Sequence, residues 1–321
     1  MDLWGSRKRV GVIRGGPSPE YDVSLKTGGR ILSLNVRSCE WRDIFIDRHG
    51  VWYLDGMARK ATSILSSVDG VFNALHGEYG ENGEIQGLLD SFGVPYTGSG
   101  RMASAISARK DLTIDRCMEE EIQIPTTLMV REGDSRDGVI SFSRRSSFPF
   151  VVKPVSAGSS LGINIASSEE ELNASVDESF KYSSAVLVQE YIEGREASCG
   201  VIEGIREERL YPLLPVETVP HFSNFFEKED GYTDKTFKRC PGKFSSEEKS
   251  KLQNIAATVH QLLGLRHYSC SDFVVSRERG IFFLETNSLP VLTENSVFSL
   301  ELEASGISME EFVAHLLKKI F

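Results

Sequence analysis

The residues best suited to metal binding or catalysis lie in one C-terminal segment, between positions 268 and 295. Two apolar stretches in it, 270–276 and 281–287, flank the sequence Arg-Glu-Arg-Gly and predict a β-hairpin. A hairpin centred on that turn places Asp272 directly opposite Glu285, with the two Cβ atoms about 5 Å apart. Carboxylates that close repel each other unless they are protonated or bridged by a cation. Asn287 lies on the same face, two residues beyond Glu285.

This spacing of two acids and an amide has two interpretations. Carboxylate and amide oxygens suit Mg²⁺ or Mn²⁺ held partly by substrate phosphates. Alternatively, the acids are simply solvated on an exposed hairpin face, and the spacing alone does not decide. The neighbouring Phe-Val-Val and Ile-Phe-Phe-Leu stretches are too apolar for a fully exposed ribbon. They favour a metal site at Asp272, Glu285 and Asn287.

A second candidate site is Lys-Pro-Val-Ser-Ala-Gly-Ser-Ser-Leu-Gly at 153–162, between two apolar strands. Small residues leave backbone N–H groups free to surround phosphates, and Lys153 adds a positive charge. The spacing is not that of a Walker A loop, and no helix follows. A glycine-serine turn alone is more often a hairpin connection, but the lysine and the separate metal site favour a nucleotide lid.

The third candidate segment is Gln-Glu-Tyr-Ile-Glu-Gly-Arg-Glu at 189–196, at the end of another apolar strand. Its backbone could meet an adenine edge, and Glu196 could reach the ribose hydroxyls. A charged surface turn is an equally good interpretation of this segment in isolation.

The composition predicts a globular protein of two or three domains, since 321 residues with 40% hydrophobic and 26% charged residues can bury a core. A net charge of -10 argues against nucleic-acid binding. Five scattered cysteines suggest neither disulfides nor a zinc site. We expect a cytoplasmic protein, because the sequence shows no export signal and no apolar run of membrane-spanning length.

The elements that must position these residues fall into three blocks, which predict an α/β fold. Residues 1–98 alternate short apolar strands with helices, as in a Rossmann-like layer, without a dinucleotide fingerprint. Residues 99–192 contain a helix at about 102–120 and strands at 150–153 and 185–189. Residues 193–321 contain a helix opened by a capping box at Ser245 and a final helix opened similarly at Ser308.

Five segments in order resemble D-alanine–D-alanine ligases over essentially the whole chain. They are GGPSPEYDVSLKTG, ALHGEYGENGEIQGLLDSFGVPYTGSG, KPVSAGSSLG, VLVQEYIEGRE and FLETNSLPVLTENS. The resemblance implies an ATP-grasp fold with ATP and Mg²⁺ (or Mn²⁺) as cofactors, and a homodimer. It also implies a two-step reaction for peptidoglycan synthesis: ATP converts the carboxylate of one D-alanine to an acyl phosphate, which the amine of a second D-alanine attacks.

The resemblance also assigns roles in nucleotide and metal binding. Lys110 and Lys153 match residues that bind ATP phosphates, and Ser159 and Ser160 lie in the closing loop, Ser159 with a catalytic role. The nucleoside contacts implied are Glu190, Ile192 and Glu196. The metal ligands implied are Asp272, Glu285 and Asn287, in agreement with the hairpin argument.

Substrate contacts come from three further segments. Glu20 matches the acid that holds the ammonium group of the first substrate. The residues implied to line the substrate sites with it are Val23, Ser24, His76, Glu81, Ser296 and Val297. Ser296 matches the position that holds the carboxylate of the second substrate. Glu20 as a helix N-terminal acid and His76 as a structural histidine are the alternatives.

Two positions depart from the family pattern at the reaction centre. Cys270 replaces an arginine that stabilises the oxyanion and the phosphoryl group, and a thiol supplies no bidentate positive charge. Val291 replaces a glycine whose backbone N–H contributes to the oxyanion hole. In the 222–240 loop, Lys228 and Tyr232 do not align clearly with the family's lysine-tyrosine pair. A D-alanine–D-lactate type ligase and an ATP-binding pseudoenzyme therefore remain alternatives.

Overall fold

The computed structural model describes residues 7–156, 158, 161–220 and 236–321. Its first sheet has the strand order β4-β3-β2-β1-β5, with β1 parallel to β2 and β5, and β3 antiparallel to β2 and β4. The elements of this region are β1 (Lys8–Gly15), α1 (Tyr21–Ser33), β2 (Cys39–Ile46), β3 (Trp52–Leu54), β4 (Met57–Ala58), α2 (Ala61–Leu65), β5 (Gly70–Asn73), α3 (Glu78–Glu81) and α4 (Glu84–Ser91).

The central strand β1 is apolar on both faces, as a parallel strand covered on both sides must be. Val10 and Val12 belong to one hydrophobic core, and Ile13 belongs to another on the opposite face. The α/β layer predicted from the strand and helix alternation is confirmed. The carboxyl end of β1 leads directly into α1, which carries Glu20 at its N-cap and Ser24 in its first turns.

The central region folds around a four-stranded antiparallel sheet of order β6-β9-β7-β8. Its elements are α5 (Arg101–Ser107), α6 (Lys110–Glu119), β6 (Thr127–Arg131), α7 (Asp137–Arg145), β7 (Phe150–Pro154), β8 (Asn164–Ala166), α8 (Glu169–Ser179) and β9 (Ala185–Glu190). The two strands expected near 150 and 185 are present and adjacent, pairing as Val152 with Val188.

The single helix expected at about 102–120 was wrong, because two helices occupy this stretch. α5 ends at Ser107, and Arg109 has an extended backbone, with φ −107° and ψ 100°. The N–H of Lys110 then donates to the Val155 carbonyl at 3.1 Å instead of to the preceding helix. A tertiary hydrogen bond therefore overrides the local helix propensity, and it places Lys110 next to the end of β7.

The C-terminal region is an antiparallel sheet of order β13-β12-β10-β14-β15, with β11 also pairing with β10. Its elements are β10 (Arg195–Glu203), a 3₁₀ turn (Ile205–Glu207), β11 (Leu210–Pro212), β12 (Val216–Pro220), β13 (Thr236–Arg239), α9 (Ser246–Leu262), β14 (Tyr268–Ser276), β15 (Gly280–Asn287), α10 (Val297–Ala304) and α11 (Met309–Ile320). The predicted starts of the two long helices are confirmed, since Ser245 forms a capping box with Glu248 and Ser308 accepts from the backbone N–H of Glu311.

An aromatic cluster joins the last two helices to β14. Tyr268, Phe298 and Phe312 have ring centroids 5.3–5.6 Å apart and are almost fully buried. The same core includes Val10 and Phe72 of the first sheet, so one hydrophobic core joins the first sheet to the C-terminal region. None of the helices in the described part of the chain is long and apolar enough to cross a membrane.

Candidate active site

The β14–β15 hairpin brings together the acids expected to bind metal. Asp272 pairs with Glu285 and Cys270 pairs with Asn287, as the sequence predicts. Towards the turn the predicted register was wrong by one residue, because Phe273 pairs with Phe283 and leaves Leu284 as a β-bulge. A bulge lets consecutive side chains reach one side of a strand. Leu284 and Glu285 both line the same cleft as a result.

The charges at this end of the cleft are closely coupled. Ser198 Oγ donates to Asp272 Oδ1 at 2.6 Å, and Lys110 Nζ lies 3.3 Å from Glu285 Oε2. Desolvation and the neighbouring Glu285 raise the pKa of Asp272 to about 7. Partial burial would raise the pKa of Glu285, but Lys110 and Lys153 outweigh it and hold that pKa below its usual value.

Lys153 ends β7 and is 5% exposed. Burial lowers the pKa of its ammonium group to about 8, and nearby Lys110 lowers it further, while Glu285 and Asp272 oppose the shift. Two lysines and two acids therefore meet in a partly desolvated volume. Such an arrangement is typical of a site completed by a ligand with both cationic and anionic parts, such as a metal–nucleotide pair.

The cleft beside this cluster has a volume of about 460 Å³ and lies between the central and C-terminal sheets. Its walls are largely apolar, and its charged end is formed by Lys153, Asp272 and Glu285. The apolar side chains that line it are Val151, Ile163, Ile165, Ile192, Phe273, Val274 and Leu284. The flat aromatic base of a nucleotide fits such a slot, with the phosphates of the nucleotide directed towards the lysines.

The side chains of the residues expected to contact the nucleoside have different surroundings. Ile192 and Glu196 line the cleft, and burial raises the pKa of Glu196. The carboxylate of Glu190 instead accepts hydrogen bonds from Arg279 at 2.8 and 3.0 Å and from Thr126. Glu190 also lines the cleft, but its carboxylate is already engaged by these protein groups.

A second cluster lies where the first sheet meets α1 and α3. The side-chain ligand atoms of Glu20, His76 and Glu81 lie within 4.8 Å of one another. His76 Nε2 lies 2.9 Å from Thr27 Oγ1, whereas His76 Nδ1 has no hydrogen-bond partner and lies 3.6 Å from Glu81 Oε1. The contact with Thr27 gives the His76 ring a structural role, whereas its Nδ1 lies near the carboxylates of Glu20 and Glu81.

Neighbouring residues on α1 contribute mainly to the framework of this cluster. The buried Ser24 hydroxyl donates to the Ala74 carbonyl and accepts from the Gly15 N–H, both at 2.8 Å. Val23 is partly exposed one residue earlier. Gly158 of the loop lies so close to Glu20 that a Cβ there would be 2.6 Å from Glu20 Oε1. Ser159 and Ser160, like Lys228 and Tyr232, lie outside the described residues.

The third cluster is the start of α10. Ser296 is the N-cap residue, and its Oγ lies 2.7 Å from the Val291 carbonyl and 2.8 Å from the Thr293 carbonyl. Its hydroxyl hydrogen is donated to one of these carbonyls, and it makes no cap to the first turn of the helix. The first-turn N–H groups, beginning at Val297, are therefore available to an anion.

Cys270 lies on the same face of β14 as Asp272 and is 7% exposed. Its Sγ is 4.0 Å from Glu301 Oε2, a fully buried acid in α10. Burial raises the pKa of the Cys270 thiol well above its usual value, and Glu301 adds to this shift. The thiol is therefore neutral and supplies no charge to its surroundings.

Family models match two parts of the chain: "D-ala D-ala ligase N-terminus" over residues 55–99 and "D-ala D-ala ligase C-terminus" over residues 121–318. The chain is 32% identical over 311 residues to the D-alanine–D-alanine ligase of Cupriavidus taiwanensis, covering 96% of this chain and 90% of that relative.

The chain belongs to the D-alanine–D-alanine ligase family.

Solved structures agree with this family assignment. The VanG D-Ala:D-Ser ligase of Enterococcus faecalis is 26% identical, with a TM-score of 0.85 over 98% of this chain and 100% of that one. A Bacillus anthracis D-alanine–D-alanine ligase complexed with ATP is 25% identical, with a TM-score of 0.78 over 97% and 96% of the two chains. The predicted ATP-grasp fold and the prediction of an ATP-dependent ligase are confirmed.

The sequence assigned no role to the side chains of three polar residues near the cleft and Cys270. Ser198 orients Asp272, Glu301 lies below Cys270, and Gln189 lines the cleft with its Nε2 donating to Thr127 Oγ1 at 2.8 Å. Strand alternation gives a signal only for Gln189, which shares a face with Leu187, opposite the buried valines of β9.

The contacts of Glu190 give a first testable prediction. Glu190→Ala is expected to lower the free energy of unfolding by about 1 kcal/mol, since it removes a partly exposed ion pair with Arg279. ATP affinity is expected to change by less than about twofold. Urea unfolding and ATP calorimetry measure the two effects, and Glu193→Ala, which removes an exposed acid nearby, is the control. A large loss of ATP affinity with unchanged stability would show that the Glu190 side chain binds the nucleoside.

Proposed function

We propose that this ligase joins two D-alanines through an acyl-phosphate intermediate, giving D-alanyl-D-alanine for peptidoglycan synthesis. The observation that carries the proposal is the meeting of Lys110, Lys153, Asp272 and Glu285 at the charged end of a cleft with apolar walls. An ATP-dependent ligase needs cationic groups for the phosphates and acids for a divalent ion, and the site supplies both. The ATP complex of the Bacillus anthracis relative supports the nucleotide.

The donor set fits Mg²⁺ or Mn²⁺. Asp272 and Glu285 are directly paired carboxylates, and burial together with the neighbouring Glu285 raises the pKa of Asp272. Asn287 on the same face adds an amide oxygen, which already accepts from the Leu289 N–H at 2.8 Å. All donors are oxygen atoms, the preference of hard divalent cations. Once held by these residues, the ion would neutralise negative charge on the ATP phosphates.

The protein's own groups would then act on the two substrates. Lys110 and Lys153 hold the triphosphate, while Glu20 attracts the ammonium group of the first D-alanine and directs its carboxylate towards the γ-phosphate. The second D-alanine places its carboxylate at the N-terminus of α10, where Ser296 and Val297 lie. Its amine then attacks the acyl phosphate, forming the amide bond and releasing inorganic phosphate. ATP activation is required because a free carboxylate is a poor electrophile.

Other predictions about the whole molecule remain part of this proposal. They are the division at residues 98 and 192, the homodimer and the cytoplasmic location. The loop contributions of Ser159 and Ser160 belong here too, supported by the position of Gly158 against Glu20. These features follow the family pattern.

The acceptor has a second candidate chemistry. Cys270 removes a cation that the family resemblance implies at the reaction centre, and a structurally similar protein, VanG, is a D-Ala:D-Ser ligase. An acceptor other than D-alanine, such as D-serine or D-lactate, is therefore the alternative. The pseudoenzyme alternative predicts ATP binding without turnover.

Phosphate release from ATP across D-alanine, D-serine, D-lactate and L-alanine, with mass spectrometry of the products, tests the proposal. D-alanyl-D-alanine formed from D-alanine alone would support it. A mixed product would identify the altered acceptor. ATP binding without phosphate release from any pair would contradict ligase turnover.

The replacement of the arginine gives a second testable prediction. Wild-type turnover is expected to be weak, because loss of one charge-stabilising donor costs about 10²–10³ in rate. Cys270→Arg together with Val291→Gly should raise kcat, since both the cation and the backbone donor are restored. Cys270→Arg alone should raise kcat less, because the buried Glu301 lies 4.0 Å from Sγ and would pair with the guanidinium.

Two arginines that could supply a charge in place of the missing arginine are held by other groups. Arg266 donates to the Gly98 carbonyl at 2.9 Å, and Arg239 pairs with Glu217 at 3.2 Å. Steady-state kinetics of the wild type, both single variants and the double variant at saturating ATP and D-alanine measure the effect. Efficient wild-type turnover with no gain in any variant would show that residue 270 lies outside the reaction centre.

A further inference from the structure

Glu301 is an acid without an evident role in the proposed chemistry. It lies in the second turn of α10 and its side chain is completely buried, although glutamate rarely is without a partner cation. Among the described residues, no lysine, arginine or histidine forms an ion pair with it. Burial raises the pKa of Glu301 well above its usual value, and Asp272 adds to the shift.

The carboxyl group of Glu301 connects α10 to two strands. Its Oε1 accepts from the backbone N–H of Gly200 at 2.9 Å, and its Oε2 lies 4.0 Å from Cys270 Sγ. Gly200 and Cys270 are themselves paired across β10 and β14. The contact requires glycine in β10, because a Cβ at residue 200 would be 2.6 Å from Glu301 Oε2 and 2.8 Å from the Phe298 ring.

The two ends of this connection lie next to two different parts of the proposed site. Ser198, two residues before Gly200 in β10, donates to Asp272 of the metal site. At the other end, α10 begins at Ser296, five residues before Glu301. A helix of eight residues moves as one rigid rod, so a contact in its second turn fixes where its first turn lies.

We propose that Glu301 is a positioning residue that fixes the N-terminus of α10, and with it the acceptor-carboxylate site, relative to the strands that carry Asp272. The inference rests on the proposed function for its substrate. Cys270 contributes to this arrangement, because its small side chain leaves room for the carboxyl group of Glu301. The Gly200 N–H would otherwise be a buried donor without a partner, which is costly.

Three variants separate positioning from charge. Glu301→Ala removes the acceptor of the Gly200 N–H. Glu301→Gln keeps a side chain of the same length with an oxygen acceptor, but this side chain cannot ionise. Glu303→Ala removes an exposed acid from the same helix and is the matched control. The measurements are KM for D-alanine and for ATP, ATP affinity by calorimetry, and hydrogen exchange of the first turn of α10.

Glu301→Ala is expected to raise the acceptor KM about tenfold, the effect of one lost hydrogen bond to a buried donor. ATP affinity should stay within about twofold, and exchange in the first turn of α10 should accelerate. Glu301→Gln should restore both properties, and Glu303→Ala should resemble the wild type. Equal losses for ATP and acceptor, or a glutamine variant as impaired as the alanine variant, would overturn the inference.

The design also distinguishes failure of the inference from failure of the proposed function. If the wild type ligates no substrate pair, the function is contradicted, and hydrogen exchange with ATP calorimetry still decides the inference. Faster exchange confined to α10 in Glu301→Ala, with unchanged ATP affinity and recovery in Glu301→Gln, would support positioning. Unchanged exchange in Glu301→Ala would refute it.

Discussion

Replacing both Lys110 and Lys153 with alanine is expected to abolish measurable ATP binding. Both lysine residues are at least nine-tenths buried at the charged end of the cleft, where solvent screening is weak. Each charged hydrogen bond to a phosphate contributes about 1.5–3 kcal/mol, so losing two should weaken binding by roughly two to four orders of magnitude. Isothermal titration calorimetry with ATP measures the change directly.

The control for this experiment removes two lysines that are equally charged but exposed. Lys181 and Lys251 each form a surface ion pair within a helix or turn, with Glu178 and Glu247 respectively. Such pairs contribute little to stability. The variant that replaces both is expected to bind ATP as the wild type does. Unchanged ATP affinity in the Lys110→Ala/Lys153→Ala variant, with the fold confirmed by circular dichroism, would show that the phosphate site lies elsewhere.

The local sequence pattern predicts where Lys153 lies, whereas only the family resemblance connected Lys110 with the ATP phosphates. Lys153 ends an apolar strand, so local pattern alone places it at a sheet edge. Lys110 was expected within one long helix, which would have no reason to direct its side chain towards the cleft. The hydrogen bond from its N–H to the Val155 carbonyl divides that helix, and such a contact between distant segments has no local signature.

The strand register of the β14–β15 hairpin could likewise be predicted only in part from the sequence. Turn chemistry and alternation were enough to pair Asp272 with Glu285 and Cys270 with Asn287. They did not predict the bulge at Leu284, because the register near the turn depends on the left-handed backbone of Gly280, with φ +88°. The acids were therefore placed correctly, but the apolar wall contributed by Leu284 was not.

Glu301 could not have been identified from its surroundings in the sequence. It follows the pattern of an amphipathic helix in which an acid would be assigned to the solvent face. Its burial depends on the absence of a side chain at Gly200, about a hundred residues earlier in the chain, and on the small Cys270. Both positions were visible in the sequence, but only the packing of α10 against β10 relates them.

Glu285→Gln is expected to give the other large effect, loss of divalent-ion binding and of metal-dependent phosphate release. The substitution keeps the size of the side chain and removes one of the two paired carboxylates that offer oxygen ligands. Changes to groups that merely support a metal ligand cost about 10–100-fold in affinity or activity, so loss of a ligand itself should cost at least about 100-fold. Mn²⁺ titration followed by electron paramagnetic resonance, with a non-hydrolysable ATP analogue present, measures binding independently of turnover.

The matched control is Glu278→Ala, which removes an exposed acid from the turn of the same hairpin. It should leave Mn²⁺ affinity and phosphate release unchanged, since it alters the net charge but not the paired acids.

Removing Glu285 also removes the counter-charge of Lys110, which lies 3.3 Å away, and one of the groups that keep Lys153 protonated. A purely electrostatic role for Glu285 would therefore change ATP affinity in the absence of metal, whereas a ligand role would weaken mainly the metal-dependent part. Comparing ATP affinity with and without Mg²⁺ in wild type and Glu285→Gln separates the two roles. Equal Mn²⁺ affinity in both proteins, or a structure with ATP and magnesium in which Asp272 and Glu285 point away from the phosphates, would show that the paired acids do not form the metal site.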